Sequence, residues 1–272
     1  MKSAITITPT QHPALFPLRE VLRYRDLLYF LTWRDIKVRY KQTVIGSFWA
    51  ILQPFLQMVV FSIFFGRLAK IPSEGVPYPV FVYAALLPWT FFSNSLSSCA
   101  NSAINNAGLI RNVYFPRLIT PLSAVASGLI DFLLSFLVLF AIMIYYHFPV
   151  TIHFLMIVPL LCGVIFSALG IGTLLAALSV SYRDFRHIVP FMLQIWLFLT
   201  PVIYPPSIIG SKYQFLLNLN PMAGLINGFR SAILGRMFNW HAIALSSAVA
   251  VFFFIVGNFY FARVQSRFAD LI

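Results

Sequence analysis

The side chains able to do chemistry in this sequence are few and scattered. None of its five lysines sits in a GxxxxGK(S/T) run, so the chain has no P-loop and does not hydrolyse ATP by that route. His187, inside SYRDFRHIVP (Ser181 to Pro190), has no serine and carboxylate at a spacing that would make a nucleophilic set. Its neighbours Arg183, Asp184 and Arg186 are suited to local pairing or to holding lipid phosphates. Cys99 and Cys162 fall in apolar stretches without metal-ligand spacing and read as packing residues. Paired carboxylates and metal-spaced histidines are also missing, so no enzyme, no cofactor and no metal centre is expected. One acid, Asp131, lies inside a long apolar run, where a charge costs about 2.5 to 3.5 kcal/mol on insertion scales. An isolated Asp there fits a hydrogen bond inside a helix bundle or a place near an interface better than a proton relay.

The elements that hold these residues are apolar throughout. Of 272 residues 60% are hydrophobic and only 10% charged, too little polar surface for a soluble globule. Long uncharged runs recur, while the alternation of a membrane barrel does not. An all-α integral membrane protein is therefore expected, with six transmembrane helices. They fall at Val44 to Phe65, Val76 to Leu96, Leu118 to Tyr146, Phe154 to Val180, Val189 to Tyr204 and His241 to Ala262. Pro77, Pro79 and Pro88 predict an irregular start and a kink in the second. Pro205 to Arg236 is too broken to span and too apolar for a free loop, which predicts two short reentrant helices between helices five and six. The chain then divides into a cytoplasmic N-terminus (1–42), a six-helix domain (43–263) and a C-terminal tail (264–272). The charged segment before the first span argues against a cleavable signal peptide.

The net charge is +12, from 19 basic against 7 acidic residues. In this topology 14 basic residues fall on one side and 5 on the other, which puts both termini in the cytoplasm and makes the charge topological rather than a nucleic-acid footprint. Along 18 to 41, Arg19, Arg23, Asp26, Arg34, Lys37 and Lys41 share one arc, while Leu22, Tyr29, Trp33, Ile36 and Tyr40 line another face. The segment reads as an amphipathic interfacial helix, either a membrane anchor or a lever joined to the first span. A second cytoplasmic segment, Asn105 to Pro121, holds Leu109, Ile110, Val113, Tyr114 and Phe115 between Gly108 and Pro116, with Arg111 and Arg117 flanking. A short helix over Leu109 to Tyr114 would make an apolar knob for a groove on another protein, or would rest among lipid headgroups. Trp49, Phe55, Trp89, Phe92, Trp196 and Tyr204 lie in or beside spans, as belt residues or as the aromatic lining of a conduit.

Five stretches together resemble a known family. They are RDIKVRYKQTVIGSFWAILQP (Arg34 to Pro54), GLIRNVYFPRLITP (Gly108 to Pro121), YRDFRHIVPFMLQIWLFLTPVIYP (Tyr182 to Pro205), NLNPMAGLINGFRSAILG (Asn218 to Gly235) and the closing FAD (Phe268 to Asp270). In order and over nearly the whole chain, they are similar to the type-2 ABC exporter permeases of bacterial polysaccharides, the O-antigen, teichoic-acid and capsule exporters. The resemblance implies an inner-membrane homodimer with a separate ATP-binding cassette subunit under each protomer, moving a lipid-linked polysaccharide, with O-antigen first among the substrates. It also implies ATPase contacts on the interfacial helix, including Arg34 and Lys37, and on the loop carrying Leu109, Ile110, Arg111, Val113, Tyr114, Phe115 and Arg117. A channel at the dimer centre with aromatics near its outer end is implied in the same way. Alternatives are a type-2 ABC exporter of a drug or another lipid and, from different classes, an ion-coupled secondary transporter or a membrane-bound acyltransferase.

Overall fold

A computed structural model of the protein describes residues 18–41 and 48–268. Lys2, Asp270, both chain ends and the start of the expected first span at Val44 lie outside the described residues. Among the described residues every regular element is helical. Short α1 (Leu18–Arg23) and α2 (Arg25–Lys41) precede α3 (Phe48–Phe61), which continues as a wider π turn over Ser62–Leu68. Then follow α4 (Tyr78–Asn105), α5 (Ala107–Asn112), α6 (Ile119–Tyr145), α7 (Ile157–Ser181), α8 (Phe185–Leu199), α9 (Ser211–Asn218), α10 (Ala223–Leu234) and α11 (Trp240–Val264).

Four helical stretches are long and apolar enough to cross a membrane: Phe48–Leu68, Ile119–Tyr145, Ile152–Ser181 and Trp240–Arg267. The expected second span is α4, which is long enough but more polar, and it runs through Pro88 as one helix. Its polarity has a physical reason. It is the central helix, packed against α3, α6, α7, α8 and α10, so Ser95 and Ser102 are buried against protein rather than lipid. Tyr83 donates to the Ser135 carbonyl of α6 at 2.9 Å, and Ser135 Oγ donates to the Ala50 carbonyl of α3 at 3.1 Å. The expected fifth span is α8, shorter than predicted, burying Val189, Leu193 and Leu197 and leaving Phe191, Ile195 and Phe198 open. The two short helices expected after it are α9 and α10. At 1.5 Å per residue they reach about 12 and 18 Å, so neither crosses about 30 Å of hydrocarbon.

Two close helix crossings need glycine. A Cβ at Gly257 of α11 would fall on the Gly170 carbonyl of α7, and one at Gly224 of α10 on the Ala242 carbonyl of α11. The connections sort to the two ends of the bundle. At one end Val21, Leu31, Ile110, Phe115, Leu118, Val180, Phe261 and Phe268 form a separate apolar cluster, joining α1, α2, α5 and the ends of α7 and α11. This is the end rich in arginine. At the other, Glu74 pairs with Arg236, and Tyr78 donates to the Ile203 carbonyl at 2.7 Å.

Candidate functional site

Helix α5 begins two residues earlier than expected and stops at Asn112, after which Val113 is extended. Beyond the helix end Phe115 turns inward with Ile110, both buried in the basic-end cluster, while Val113 and Tyr114 stay open. The sequence alone marks all five apolar residues of this loop as exposed; the structure corrects that for Ile110 and Phe115 and leaves Leu109 half-buried. What stays open is a smaller knob, Val113 at 50% and Tyr114 at 73% exposure, beside exposed Arg111. Arg117 is turned toward the bundle, its guanidinium 6.0 Å from the Phe268 ring.

Helix α2 turns the face marked as apolar, Leu22 of α1 with Tyr29 and Trp33, away from the bundle, and Lys37 lies exposed over the Trp33 ring. Its inner face is held by charge as well as by Leu31. Arg34 bonds Asp35 and reaches Asn106 Oδ1 at 2.7 Å, tying α2 to the α4–α5 junction. Arg39 and the Tyr40 hydroxyl then take one carboxylate oxygen each of Asp131, in the middle of α6. Burial, followed by the hydrogen bond to Asp131, pushes the Tyr40 phenol above its ordinary range, so it remains a donor. Asp131 is thus engaged inside the bundle, as its isolation in the sequence led one to expect. The sequence does not identify its partners, although a lone acid in a span calls for a cation on a neighbouring element.

The aromatic candidates separate into two groups. Trp89, Phe92 and Trp196 stack edge to face or tilted, with centroids 5.2 to 6.4 Å apart, and Trp89 and Phe92 are buried in the protomer core. Trp49 and Phe55 are exposed on α3 and each lines a separate cavity. Tyr204 is half-buried and donates to the Phe198 carbonyl at 3.0 Å. In the turn between α9 and α10, Asn220 is a hub, accepting from Trp196 Nε1 at 3.1 Å and donating to Thr200 Oγ1 at 2.9 Å. Buried Arg230 of α10 donates to the Pro201 and Val202 carbonyls at 3.0 Å with its guanidinium over the Phe81 ring. These ties fix the short helices, and nothing in the sequence signals them beyond a cation in an apolar segment. Arg183, Asp184, Arg186 and His187 are exposed, and no ion pair joins them among the described residues. Cys99 is buried and Cys162 exposed, both as free thiols.

Residues 26–234 match the model of a family described as ABC-2 type transporter. The chain belongs to that family. The ABC-2 match covers α2 through α10, so it includes the knob, the Arg39–Asp131 contact and the short helices. Over 260 residues, 94% of this chain and 98% of the relative, the ABC-2 protein is 33% identical to the O-antigen export system permease protein RfbA of Myxococcus xanthus. A protein of the same name from Klebsiella pneumoniae is 28% identical over 91% of this chain and 95% of its own length. The polysialic acid transport protein KpsM of Escherichia coli is 24% identical over 74% of this chain and 78% of its own.

Proposed function

We propose that this ABC-2 protein is the permease subunit of an ATP-driven exporter of a lipid-linked polysaccharide, most directly an O-antigen, in the bacterial inner membrane. The observation that carries this reading is the near full-length similarity to the O-antigen export permease of Myxococcus xanthus. The ATP-binding cassette partner is a separate chain, two copies serving a homodimer of six-helix protomers with reentrant α9 and α10. Helix α3 supports the dimer, because little of its span is buried within its own protomer. The basic-end segments face the cytoplasm by the positive-inside bias.

Coupling in this proposal is mechanical. Closure of the ATPase pair on nucleotide pushes the open knob at Val113 and Tyr114, with Arg111, Arg34 and Lys37 near the contact. Ile110 and Phe115 carry the push inward because they are packed, not free. Helix α2 passes it to α6 through Arg39, Tyr40 and Asp131, and α6 moves against α3 at the dimer seam, opening the channel. No bond is made or broken on this chain.

The test is biochemical. The purified chain alone is expected to show no ATP turnover above a mock preparation, and co-expression with a P-loop ATPase encoded beside it is expected to give a stable complex that hydrolyses ATP. Turnover by the lone chain, or failure of every such ATPase to co-purify, overturns the reading.

A further inference from the structure

A cavity of about 320 Å³ opens between α2, α3, α4 and α6 within one protomer, in the half of the bundle nearer the basic end. Its volume is near the lower limit of ligand pockets, room for a few rings and not for a polymer. Polar side chains from two spans line it: Gln53 on α3, and Asn94, Ser97 and Ser98 on α4. Trp49 and Phe91 supply aromatic surface. Gln53 and Asn94 are exposed and their side chains make no hydrogen bond among the described residues, although both stand on helices placed in the membrane. An amide left in a low-dielectric site without a partner costs several kcal/mol, so these two need something polar opposite them, and they line the same cavity.

Charge narrows what that is. The charged groups at its wall, Arg39 and Asp131, neutralise each other, which removes the pull on an anion. A neutral ligand with many groups that both donate and accept, and with apolar C–H faces for Trp49 and Phe91, has the matching chemistry; a saccharide combines them. The contrast lies on the same helices. The second cavity between α3, α4 and α6, about 700 Å³ in the other half, is lined mainly by apolar side chains such as Phe55, Met58, Val59 and Ile142, with Ser62 and Arg67 also in its wall, and suits an acyl or isoprenoid chain instead.

We propose that the polar cavity beside Asp131 is a saccharide-binding subsite within each protomer, taking a short neutral stretch of the exported glycan. The proposal rests on the polysaccharide-export reading above, and the experiment separates the two. In cells that make the glycan, deletion of this chain is scored first: loss of surface glycan upholds export, and unchanged surface glycan overturns export and the subsite with it. The full chain, with its ATPase, then carries the photocrosslinker p-benzoylphenylalanine at Asn94 or, as control, at exposed Phe252 of α11. Irradiation is expected to give a glycan adduct at position 94, absent at 252 and absent when glycan synthesis is blocked. The Gln53→Leu/Asn94→Leu pair is expected to lower export at least tenfold at unchanged complex yield. An adduct at position 94 to lipid or to a second copy of the chain alone, or no adduct in a strain whose export depends on this protein, overturns the subsite and leaves the export reading standing.

Discussion

Replacing Asp131 by Asn removes one charge from the α2–α6 contact with almost no change of shape. The carboxylate is 19% exposed and the Arg39 side chain 34%, so the pair is neither a surface ion pair, worth about 0 to 1 kcal/mol, nor a fully buried one, whose breaking costs about 3 to 5 kcal/mol. The introduced amide can still accept from the Tyr40 hydroxyl through its carbonyl oxygen, so the loss is the charged part of the contact, about 2 kcal/mol. That lowers the cost of lifting the end of α2 away from α6. At 1.4 kcal/mol per tenfold, amides of the last turns of α2 should exchange about thirtyfold faster in the purified permease–ATPase complex, with α7 and α11 unchanged. ATPase binding should persist, because the Tyr114 knob is untouched, while export per ATP falls. Adding Arg39→Gln should then do little more, since its partner charge is already gone. Unchanged exchange in α2 would refute the clamp, and faster exchange throughout the bundle would show that Asp131 only supports the fold.

Tyr114→Asp should abolish co-purification of the ATPase at matched membrane expression, because it sets a charge into a desolvated contact, whereas normal complex yield and export would remove the docking role. Phe115→Ala should act differently, costing about 3 to 5 kcal/mol of packing and lowering the yield of folded protein, as read by thermal melting in detergent. Gly257→Ala places a methyl on the Gly170 carbonyl and should lower the melting temperature by several degrees; an unchanged melt would show that α7 and α11 can separate freely. A reporter active only in the periplasm, fused at Ile272, should stay silent, and activity there would invert the topology.

Beyond the first span, whose start lies outside the described residues, the apolar runs place the start of each long helix to within a few residues, because a membrane imposes one length and one period on its spans. The central helix α4 shows where composition misleads. It continues to Asn105, well past the apolar run, because five neighbouring helices surround it and bury Ser95 and Ser102. The knob was legible as an apolar excess between Gly108 and Pro116, but not its direction, since the inward turn of Phe115 rests on packing with Val21, Leu31 and Phe268 from distant parts of the chain. The Arg39–Asp131 pair joins residues 92 positions apart, so spacing could mark Asp131 as anomalous and could not name its partner. The aromatic stack of Trp89, Phe92 and Trp196 is likewise a tertiary fact, because an apolar ring in a span looks the same facing lipid, core or conduit.

On the export reading this chain moves a lipid-linked glycan outward at the expense of ATP hydrolysed on its partner. The most direct measurement follows that glycan in cells depleted of the chain, then restored with it in the presence of an intact ATPase or one mutated in its P-loop. Depletion is expected to trap lipid-linked glycan on the cytoplasmic side, and only the intact pair is expected to return it to the surface. Surface glycan that persists through depletion, or returns with the inactive ATPase, would contradict the export reading.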